Sequence, residues 1–372
     1  MQIDFHHSVT YVCARLAGFD PGDAGIIAHS AQYVDDATES GEIYFENGMI
    51  YTRIASAHKM LDYKNLDALA NHRAWLPFHF LPGNDSEPPT VVDAPLEKEE
   101  YLRRCICRPN SPLAKDLARA VVERQDRVYA LYRLGIAMHA YVDTWAHQGF
   151  VGFQHQVNVA KDLEANDRHH ERSYAQRFAD LFKAGIDQIS SAWVGDALPL
   201  GHGAVLSYPD RPYLKWSYTN GHGERIERDN PKDFAEAARE MYQVFCRYRE
   251  FRTAGKSVFA KTYALPSAFA VIDHTLANTM AECGKERHRI WLSKIAAGDF
   301  GFSENLRYVA EGEGSWKHQA LGIAENVHEH QEKIPYDPKF RISHWKLFHD
   351  ALQAHRFYVL HELLPRYGLL GG

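Results

Sequence analysis

The sequence has few cysteines, and their arrangement excludes a disulfide scaffold. The 372 residues contain five cysteines, an odd number, and only Cys105 and Cys107 lie close together in the chain. This spacing matches neither a disulfide framework nor a zinc knuckle, so we expect a reducing compartment. Because the chain has 22 histidines, we expect any transition-metal site to use histidine and carboxylate ligands rather than thiolates.

The chain also lacks the apolar segments that direct a protein into or across a membrane. No run of roughly 18 apolar residues is present, and the start, MQIDFHHSVTYVCARLAGF, has no basic region, apolar core or small-residue cleavage site. We expect a soluble protein that is cytoplasmic, or exported without a conventional signal peptide, for example as a secreted effector. Contact with a membrane would then be peripheral.

Excess positive charge is absent as well. The formal net charge is −6 and no block of like charges stands out, so the chain has no broad basic field for nucleic acid. We therefore expect no stable nucleic acid complex. In contrast, 45% of the residues are hydrophobic and 12% are aromatic, which is enough material for a sizeable core.

Helix signals dominate the chain, and no run of alternating strands is visible. Asp20 is a predicted N-cap, with Pro21 at the first helical position, for a helix over about 21–36. Helical periodicity also predicts helices near 5–18, 45–62, 113–150, 172–190, 232–252, 266–296 and 342–364. Two breaks, at 81–95 and about 194–231, are typical of long loops. The sequence therefore predicts a single all-α domain over 1–372.

The most informative stretch is LGIAMHAYVDTWAHQGF (134–150), which has the pattern of a buried helix. It places His139, Asp143 and His147 at intervals of four, one above another on the same helical face. An uncompensated buried polar group costs on the order of 1 to 3 kcal/mol, so three in a row require a common partner, which a divalent cation supplies. A structural hydrogen bond is the alternative for any one histidine–aspartate pair.

Further candidate ligands lie in three other segments. In DFHHS, His6 and His7 stand at the start of an early helix, where one could face inwards and the other outwards. Asp35 continues the small-residue face of the second helix, whereas Asp36 points away from it, so Asp35 is the better inward carboxylate. In WLPFHFLPG, His79 lies among aromatic residues and needs a defined partner. The alternative for the pairs in DFHHS and QYVDD is exposure to solvent.

The order of these motifs resembles that of the zinc-dependent phospholipases C and the related zinc-dependent single-strand nucleases. The matching segments are DFHH, QYVDD, PFHF and HAYVDTWAH, within about residues 1–215. The chain is also similar to an uncharacterised bacterial family that shares DFHH, QYVDD, PFHFLPG and DTWAHQGF. The first resemblance implies a metal-site core over about 1–215, followed by a helical part over about 232–372. It also implies two or three Zn²⁺ ions, with candidate ligands His6, His7, Asp35, His79, His139, Asp143, His147, His202 and Asp210.

The chain differs from the phospholipase and nuclease family in two places. Members of that family begin with a Trp whose amine and carbonyl bind metal, whereas this chain begins with Met1. They also have a longer interval between the helical aspartate and the next histidine, followed by a His-x-x-x-Asp or His-x-x-x-Glu pair. The nearest counterparts of that pair are His202 and Asp210, which have seven residues between them.

Metal-assisted hydrolysis of a phosphodiester is the activity that the resemblance implies. Bound Zn²⁺ would lower the pKa of water towards about 7 and stabilise charge on a phosphoryl oxygen. We expect Asp143, flanked by His139 and His147, to bridge two ions, and Asp35 to be the general base if it is not itself a ligand. The substrate would be a phospholipid or a small phosphodiester.

Aromatic residues in and beside the second long loop bear on the choice of substrate. Trp193, Tyr208, Tyr213, Trp216 and Tyr218 could line a pocket mouth that receives a quaternary ammonium group by cation–π contact. Such a mouth would favour phosphatidylcholine-like lipids and hence a phospholipase C. The alternative is a small core that packs the loop.

Two other functions stay open on the sequence alone. An HD-type nucleotide phosphohydrolase is also all-α, but its adjacent His-Asp pair is missing from the predicted site, and the HD dipeptide at 349–350 lies far downstream. A non-catalytic helical binding protein with structural histidines is the other alternative. Metal analysis of the purified protein would separate this last possibility from both enzymes.

Overall fold

Helices make up most of the structure, a computed structural model that describes residues 1–57, 68–89, 96–166, 203–205, 207–255, 259–323 and 333–370. A π-helical segment, Asp4–Val9, leads into the first helix, and a second one, Val359–Leu363, precedes the last. The helices are α1 (Thr10–Leu16), α2 (Pro21–Asp36), α3 (Ala68–Phe78), α4 (Lys98–Cys105), α5 (Pro112–Glu123), α6 (Ala130–Ala146), α7 (Asn230–Ala254), α8 (Phe269–Asn278), α9 (Gly284–Ala297), α10 (Trp316–Leu321), α11 (His344–Tyr358) and α12 (Leu364–Arg366).

The helix predicted over 21–36 is confirmed, together with its cap. The Asp20 carboxylate accepts a hydrogen bond from the Asp23 amide at 2.9 Å, and Pro21 occupies the first helical position. The helices predicted over 113–150 and 266–296 are each divided in two, whereas the one predicted over 172–190 lies outside the described residues. Among the helices that are described, none has the length and apolar character needed to cross a membrane.

Two small antiparallel sheets make the fold mostly helical rather than all-α, which corrects the predicted fold class. Strands β1 (Gly41–Tyr44) and β2 (Ile50–Arg53) form a hairpin where the sequence analysis predicts the start of a helix over 45–62. The turn contains Asn47-Gly48, with Gly48 at φ +84°, and an Asn-Gly pair between alternating apolar residues is a hairpin signal. Strands β3 (Ala160–Ala165), β4 (Lys215–Asn220) and β5 (Arg225–Asp229) form the second sheet, partly within the predicted loop.

Helix α6 lies at the centre of the fold. Every residue from Tyr132 to Ala146 is buried, and the helix packs against α2, α5, α7 and α11. A helix that is covered on all sides normally carries apolar residues all round. The polar side chains of α6 therefore face other protein groups, and their partners have to come from neighbouring elements.

Helix α2 approaches α6 closely at a glycine. A Cβ atom added to Gly135 would lie 2.3 Å from the Ile27 carbonyl oxygen and 2.8 Å from the Ser30 Cβ. These distances are shorter than any normal contact, so only glycine permits this separation of the two helices. The approach also brings the Ala31 carbonyl of α2 within 2.7 Å of His139 Nδ1 on α6.

A buried ion pair holds the amino-terminal segment against α9. The Arg287 guanidinium contacts the Asp4 carboxylate at 2.7 and 3.1 Å, and it also donates to the Gln2 side chain at 2.9 Å. Both charged side chains are almost fully buried. A buried pair of this kind is costly to break, because one charge would remain in the core without a partner.

The end of α3 is held by a histidine of α11. Pro77 lies inside α3, and its carbonyl oxygen is 2.9 Å from His355 Nε2. Because a carbonyl can only accept, the ring donates from Nε2 and is neutral. Burial lowers the pKa of His355 to about 3.

We predict that Gly135→Ala weakens both folding and any ligand binding that depends on the α2–α6 contact. The added methyl group must push the helices apart, and overpacking of this kind costs about 1 to 3 kcal/mol. Urea unfolding measures the loss. Gly25→Ala on α2 is the matched control, because no atom lies within 4 Å of its added Cβ, and we expect it to be neutral or slightly stabilising. Equal stabilities of the two variants would contradict the close-approach argument.

We predict that His355 makes the protein less stable in acid. Its pKa is about 6.5 in the unfolded chain and about 3 in the fold, so its contribution is fully present above pH 6.5 and is lost as the pH falls below that value. Between pH 7 and pH 5 the loss is about 2 kcal/mol. Urea unfolding at both values should show this additional loss for the wild type relative to His355→Gln, and parallel losses would contradict it.

Candidate metal centre

Side chains from five separate segments converge at the middle of α6. His139 and Asp143 project from α6 itself, and His147 follows as its C-cap residue. The remaining members come from the amino-terminal segment, the end of α2, the residue after α3 and the short turn Tyr208–Asp210. They are His6, Asp35, His79 and Asp210.

Three of the histidines bond a backbone carbonyl through one ring nitrogen. His139 Nδ1 lies 2.7 Å from the Ala31 oxygen, and His79 Nε2 lies 3.0 Å from the Ser56 oxygen. His147 Nδ1 lies 2.7 Å from the oxygen of His79. A neutral imidazole has one N–H, and a carbonyl can only accept it. The second nitrogen of each ring therefore carries a lone pair, as in metal-binding histidines that are oriented by outer partners.

These lone pairs face one another and a carboxylate. His79 Nδ1 is 3.1 Å from His139 Nε2, and the two nitrogens are 3.5 and 3.3 Å from Asp143 Oδ2. This oxygen is buried and makes no hydrogen bond within the described part of the chain. Three acceptors at these separations repel one another unless a cation lies between them. The donor set therefore fits a metal ion.

His6 occupies the other side of the Asp143 carboxylate. Its Nε2 is 3.2 Å from Asp143 Oδ1, and its ring stacks on that of His139 with centroids 3.8 Å apart. Both ring nitrogens are buried, and neither makes a hydrogen bond to any residue that the structure describes. A buried histidine without a hydrogen bond in a polar cluster is a second feature that fits a metal ligand.

The geometry defines two overlapping ligand groups. One consists of His79, His139 and Asp143, and the other of His6, Asp35 and His139; within each, the ligand atoms lie within 4.8 Å of one another. Nitrogen and carboxylate oxygen are the ligands of zinc and related transition metals. A third set of contacts joins Asp143 to His147 at 3.6 Å, and His147 to Asp210 at 3.7 Å.

Burial sets the protonation states of the cluster. It lowers the pKa of His6 to about 4 and lowers those of His79 and His139 as well, so these rings are neutral and able to bind a cation at neutral pH. Burial and the Asp143 carboxylate raise the pKa of Asp35 well above its usual range. For Asp143, burial alone would raise the pKa, but nearby positive charge, led by the Met1 ammonium, outweighs it and holds the pKa well below its usual range.

The amino group of Met1 also reaches the cluster. It lies 2.6 Å from Asp143 Oδ1 and 3.1 Å from Asp210 Oδ1. Burial by itself lowers the pKa of this group, but Asp143, Asp210 and Asp35 outweigh burial and raise the pKa to about 11. The ammonium therefore supplies positive charge between two buried carboxylates. The sequence analysis assigned no role to this amine.

The two neighbouring histidines of DFHHS contact different groups, and both are buried rather than exposed. His7 turns away from Asp143, and its Nδ1 lies 2.9 Å from His288 Nε2. Its ring also contacts that of Tyr308. His6 is therefore the candidate ligand of the pair, and the expectation that His7 belongs to the same ligand set is corrected.

Some of the remaining predicted ligands and aromatic residues lie within the described residues, and others do not. His202 and Trp193 lie outside the described residues. Asp210 lies beside His147, with its Oδ1 3.7 Å from Nε2 of the ring. Its turn is held by Asn230, whose side-chain amide donates to the carbonyl oxygens of Tyr208 and Arg211 at 2.7 and 2.8 Å.

The predicted aromatic mouth is instead a hydrophobic cluster. Tyr208, Tyr213, Trp216 and Tyr218 are buried there together, and the exposed fraction of Trp216 is 4%. The Trp216 ring already faces the Arg228 guanidinium, 5.4 Å from the ring centroid. The expectation that these rings form an open cation-accepting mouth is therefore corrected, because their faces are covered by the protein itself.

The sequence analysis did not identify two arginines that support the cluster. Arg228 is buried and donates to the carbonyl oxygens of Trp145 and Ala146 at 2.8 and 3.1 Å. A cation at these last carbonyls stabilises the end of α6, directly before His147. The Asp4–Arg287 ion pair similarly supports the segment that carries His6. No local motif marks either arginine, because its partners are distant in the chain.

We predict that Asp143→Asn removes most of the metal-binding capacity of the protein. The amide keeps the shape of the side chain but loses the anionic oxygens that face the imidazoles on both sides. Zinc bound per chain after dialysis should fall well below the wild-type value, and elemental analysis measures it. Asp350→Asn is the matched control, because its carboxylate pairs with Lys346 on α11 and belongs to neither ligand group.

His6→Asn tests the same site if Asp143→Asn fails to fold. His6→Asn shortens a buried ring that stacks on His139, so the metal-free variant should fold with somewhat lower stability, while its zinc affinity falls much further. Wild-type zinc content in both folded variants would contradict the assignment.

Comparison with known proteins places the chain in a family. A family model described as a family of unknown function, DUF6765, matches residues 1–363. No curated protein and no solved structure matches the chain. Because the match to the family model extends over nearly the whole sequence, the protein belongs to the DUF6765 family.

Proposed function

We propose that this protein is a metal-dependent hydrolase of phosphodiesters, with two or three Zn²⁺ ions as its cofactor. The observation that carries the proposal is the buried Asp143 Oδ2, which faces lone pairs of His79 and His139 at 3.5 and 3.3 Å. A carboxylate and two neutral imidazoles in this arrangement need a cation. The ligand count exceeds the four of a single tetrahedral site, which supports more than one ion.

The residues that converge at the cluster support a phosphodiester as the substrate. The motifs DFHH, QYVDD, PFHF and HAYVDTWAH resemble zinc-dependent phospholipases C and nucleases in their order along the chain. One residue or more from each motif reaches the same buried cluster: His6, Asp35, His79, His139, Asp143 and His147. A set of structural histidines would not need to share one site in this way.

The side chains of the cluster have separable tasks. His6, His79, His139 and His147 would hold the ions, and Asp143 would bridge them because its two oxygens face opposite sides. The ions supply Lewis acidity towards a phosphoryl oxygen and increase the acidity of water. Asp35 has the most exposed side chain of the cluster, at 31%, so it would line the side from which substrate and water enter.

The surroundings of Asp35 bear on substrate size and charge. Asp36 is exposed beside it, and two carboxylates at an entrance disfavour a long polyanion. With the aromatic residues buried, nothing in the described structure selects a choline head group. We therefore propose a small phosphodiester or a phospholipid head group as the substrate class, with a phosphatidylcholine-specific phospholipase C as one member of that class.

The test is hydrolysis by zinc-loaded protein of three substrates: bis(p-nitrophenyl) phosphate, a short-chain phosphatidylcholine and single-stranded DNA. We expect turnover of at least one of the first two, little turnover of DNA, and loss of activity on chelation with recovery on adding zinc. Asp143→Asn should lower kcat/KM by at least about 100-fold, whereas Asp350→Asn should leave it unchanged.

Each other outcome identifies a different function. Zinc binding without turnover of any phosphodiester would overturn the enzyme assignment in favour of a binding protein. Turnover confined to nucleotides would favour the nucleotide phosphohydrolase instead. Activity that is unaffected by complete removal of metal would overturn the proposal as a whole.

A further inference from the structure

Asp35 is the ligand candidate at the open side of the cluster, and its carboxylate is oriented by a neighbour. Its Oδ1 lies 3.7 Å from His139 Nε2 and 3.8 Å from His79 Nδ1. Its Oδ2 accepts a hydrogen bond from the Gln32 side-chain amide at 3.4 Å. One oxygen thus faces the imidazoles while the other is held by an amide one helical turn earlier on α2.

The same amide links Asp35 to the carboxylate that follows it. Gln32 Nε2 is 3.1 Å from Asp36 Oδ2. An amide NH₂ group has two hydrogens, so Gln32 can donate one to each carboxylate. The position of Asp36 therefore affects the orientation of the Gln32 amide towards Asp35.

Tyr308 holds Asp36 from outside the helix. Its hydroxyl donates to Asp36 Oδ2 at 2.5 Å, and its ring rests against those of His7 and His29, with centroids 5.1 and 4.6 Å away. Asp36 Oδ2 is thereby fixed from two directions, by Gln32 and by Tyr308.

The segment that carries Tyr308 is itself tethered. Residues 302–310 have no helix or strand, but Glu304 pairs with Arg15 of α1 at 2.7 Å and accepts a hydrogen bond from Tyr11. The Arg15 guanidinium also lies 5.1 Å from the ring centroid of Phe302. The segment therefore connects α1, which follows His6, with the end of α2, which carries Asp35.

On the basis of the metal centre proposed above, we propose that Tyr308 is a positioning residue for Asp35. Tyr308 fixes Asp36, Asp36 shares the Gln32 amide, and Gln32 holds the Asp35 oxygen that faces away from the imidazoles. Without the Tyr308 hydroxyl, Asp36 is free to turn, and Gln32 loses the second carboxylate that holds its amide beside Asp35. Asp35 then loses the support that directs Oδ1 to the ligand group, and the metal on that side is bound more weakly.

The experiment compares zinc affinities by competition with a chelator. Tyr308→Phe keeps the ring against His7 and His29 and removes the hydroxyl alone. We expect a loss of about 10-fold in the affinity of the weaker zinc ion, as for other outer-shell partners of metal ligands. For Tyr308→Phe, kcat at limiting zinc should fall in parallel with zinc affinity and should recover when zinc is in excess. Damage to the fold would lower kcat at both zinc concentrations.

A double-mutant cycle tests the route through Asp36. Asp36→Ala should lower zinc affinity by a similar factor, and Tyr308→Phe with Asp36→Ala should lose no more than the single variants, because both remove one shared interaction. Tyr101→Phe is the matched control, since its hydroxyl bonds the Leu370 carbonyl at 2.9 Å and belongs to neither ligand group. It should leave zinc affinity unchanged.

The outcomes separate this inference from the proposed function. Wild-type protein that binds no zinc would overturn the metal centre and the role of Tyr308 with it. Wild-type zinc binding together with unchanged affinity in Tyr308→Phe, or additive losses in the cycle, would overturn the role of Tyr308 alone. Loss of affinity in Tyr308→Phe without any phosphodiesterase activity in the wild type would support the positioning role and contradict the hydrolase.

Discussion

The buried carboxylate of Asp143 is the constraint on which the rest of the site depends. It lies on a helix that is covered on every side, and its two oxygens meet different groups: the Met1 amine and His6 at Oδ1, and His79, His139 and His147 at Oδ2. An anion in such a place is tolerated only with compensating positive charge. Backbone carbonyls orient the imidazoles of His79 and His139 so that their lone pairs, and not their N–H groups, face it. This arrangement could hold a metal ion.

Four contacts far from one another in the chain hold the ligand-bearing segments in place. Gly135 permits the approach of α2, and Arg228 caps the end of α6. Arg287 clamps the amino-terminal segment through Asp4, and His355 supports the end of α3 through the Pro77 carbonyl. In the last three contacts, a buried side chain bonds a group that is distant in the chain. The core therefore helps to hold the ligand-bearing segments in position.

The aromatic residues before and within the second sheet support the structure. Trp216 donates from its indole to Asn230, and the amide of Asn230 holds the turn that carries Asp210. Arg228 stacks on the same Trp216 ring while it caps α6. The cluster thus couples two parts of the candidate metal centre. Under the proposed function, substrate selection would fall to residues on the more exposed side of the cluster, where Asp35, Asp36 and Tyr308 lie.

The sequence by itself determined the helical character, the α2 cap and the ligand row of α6. These features depend on spacings of three and four residues and on capping chemistry, which are local. It also contained the Asn47-Gly48 hairpin signal, which the helical interpretation of 45–62 passed over. Only the tertiary structure decided that His6 rather than His7 meets Asp143, that the Met1 amine joins them, and that Trp216 is buried. These outcomes depend on which surfaces pack together, and contacts between residues more than a hundred positions apart leave no periodic trace in the sequence.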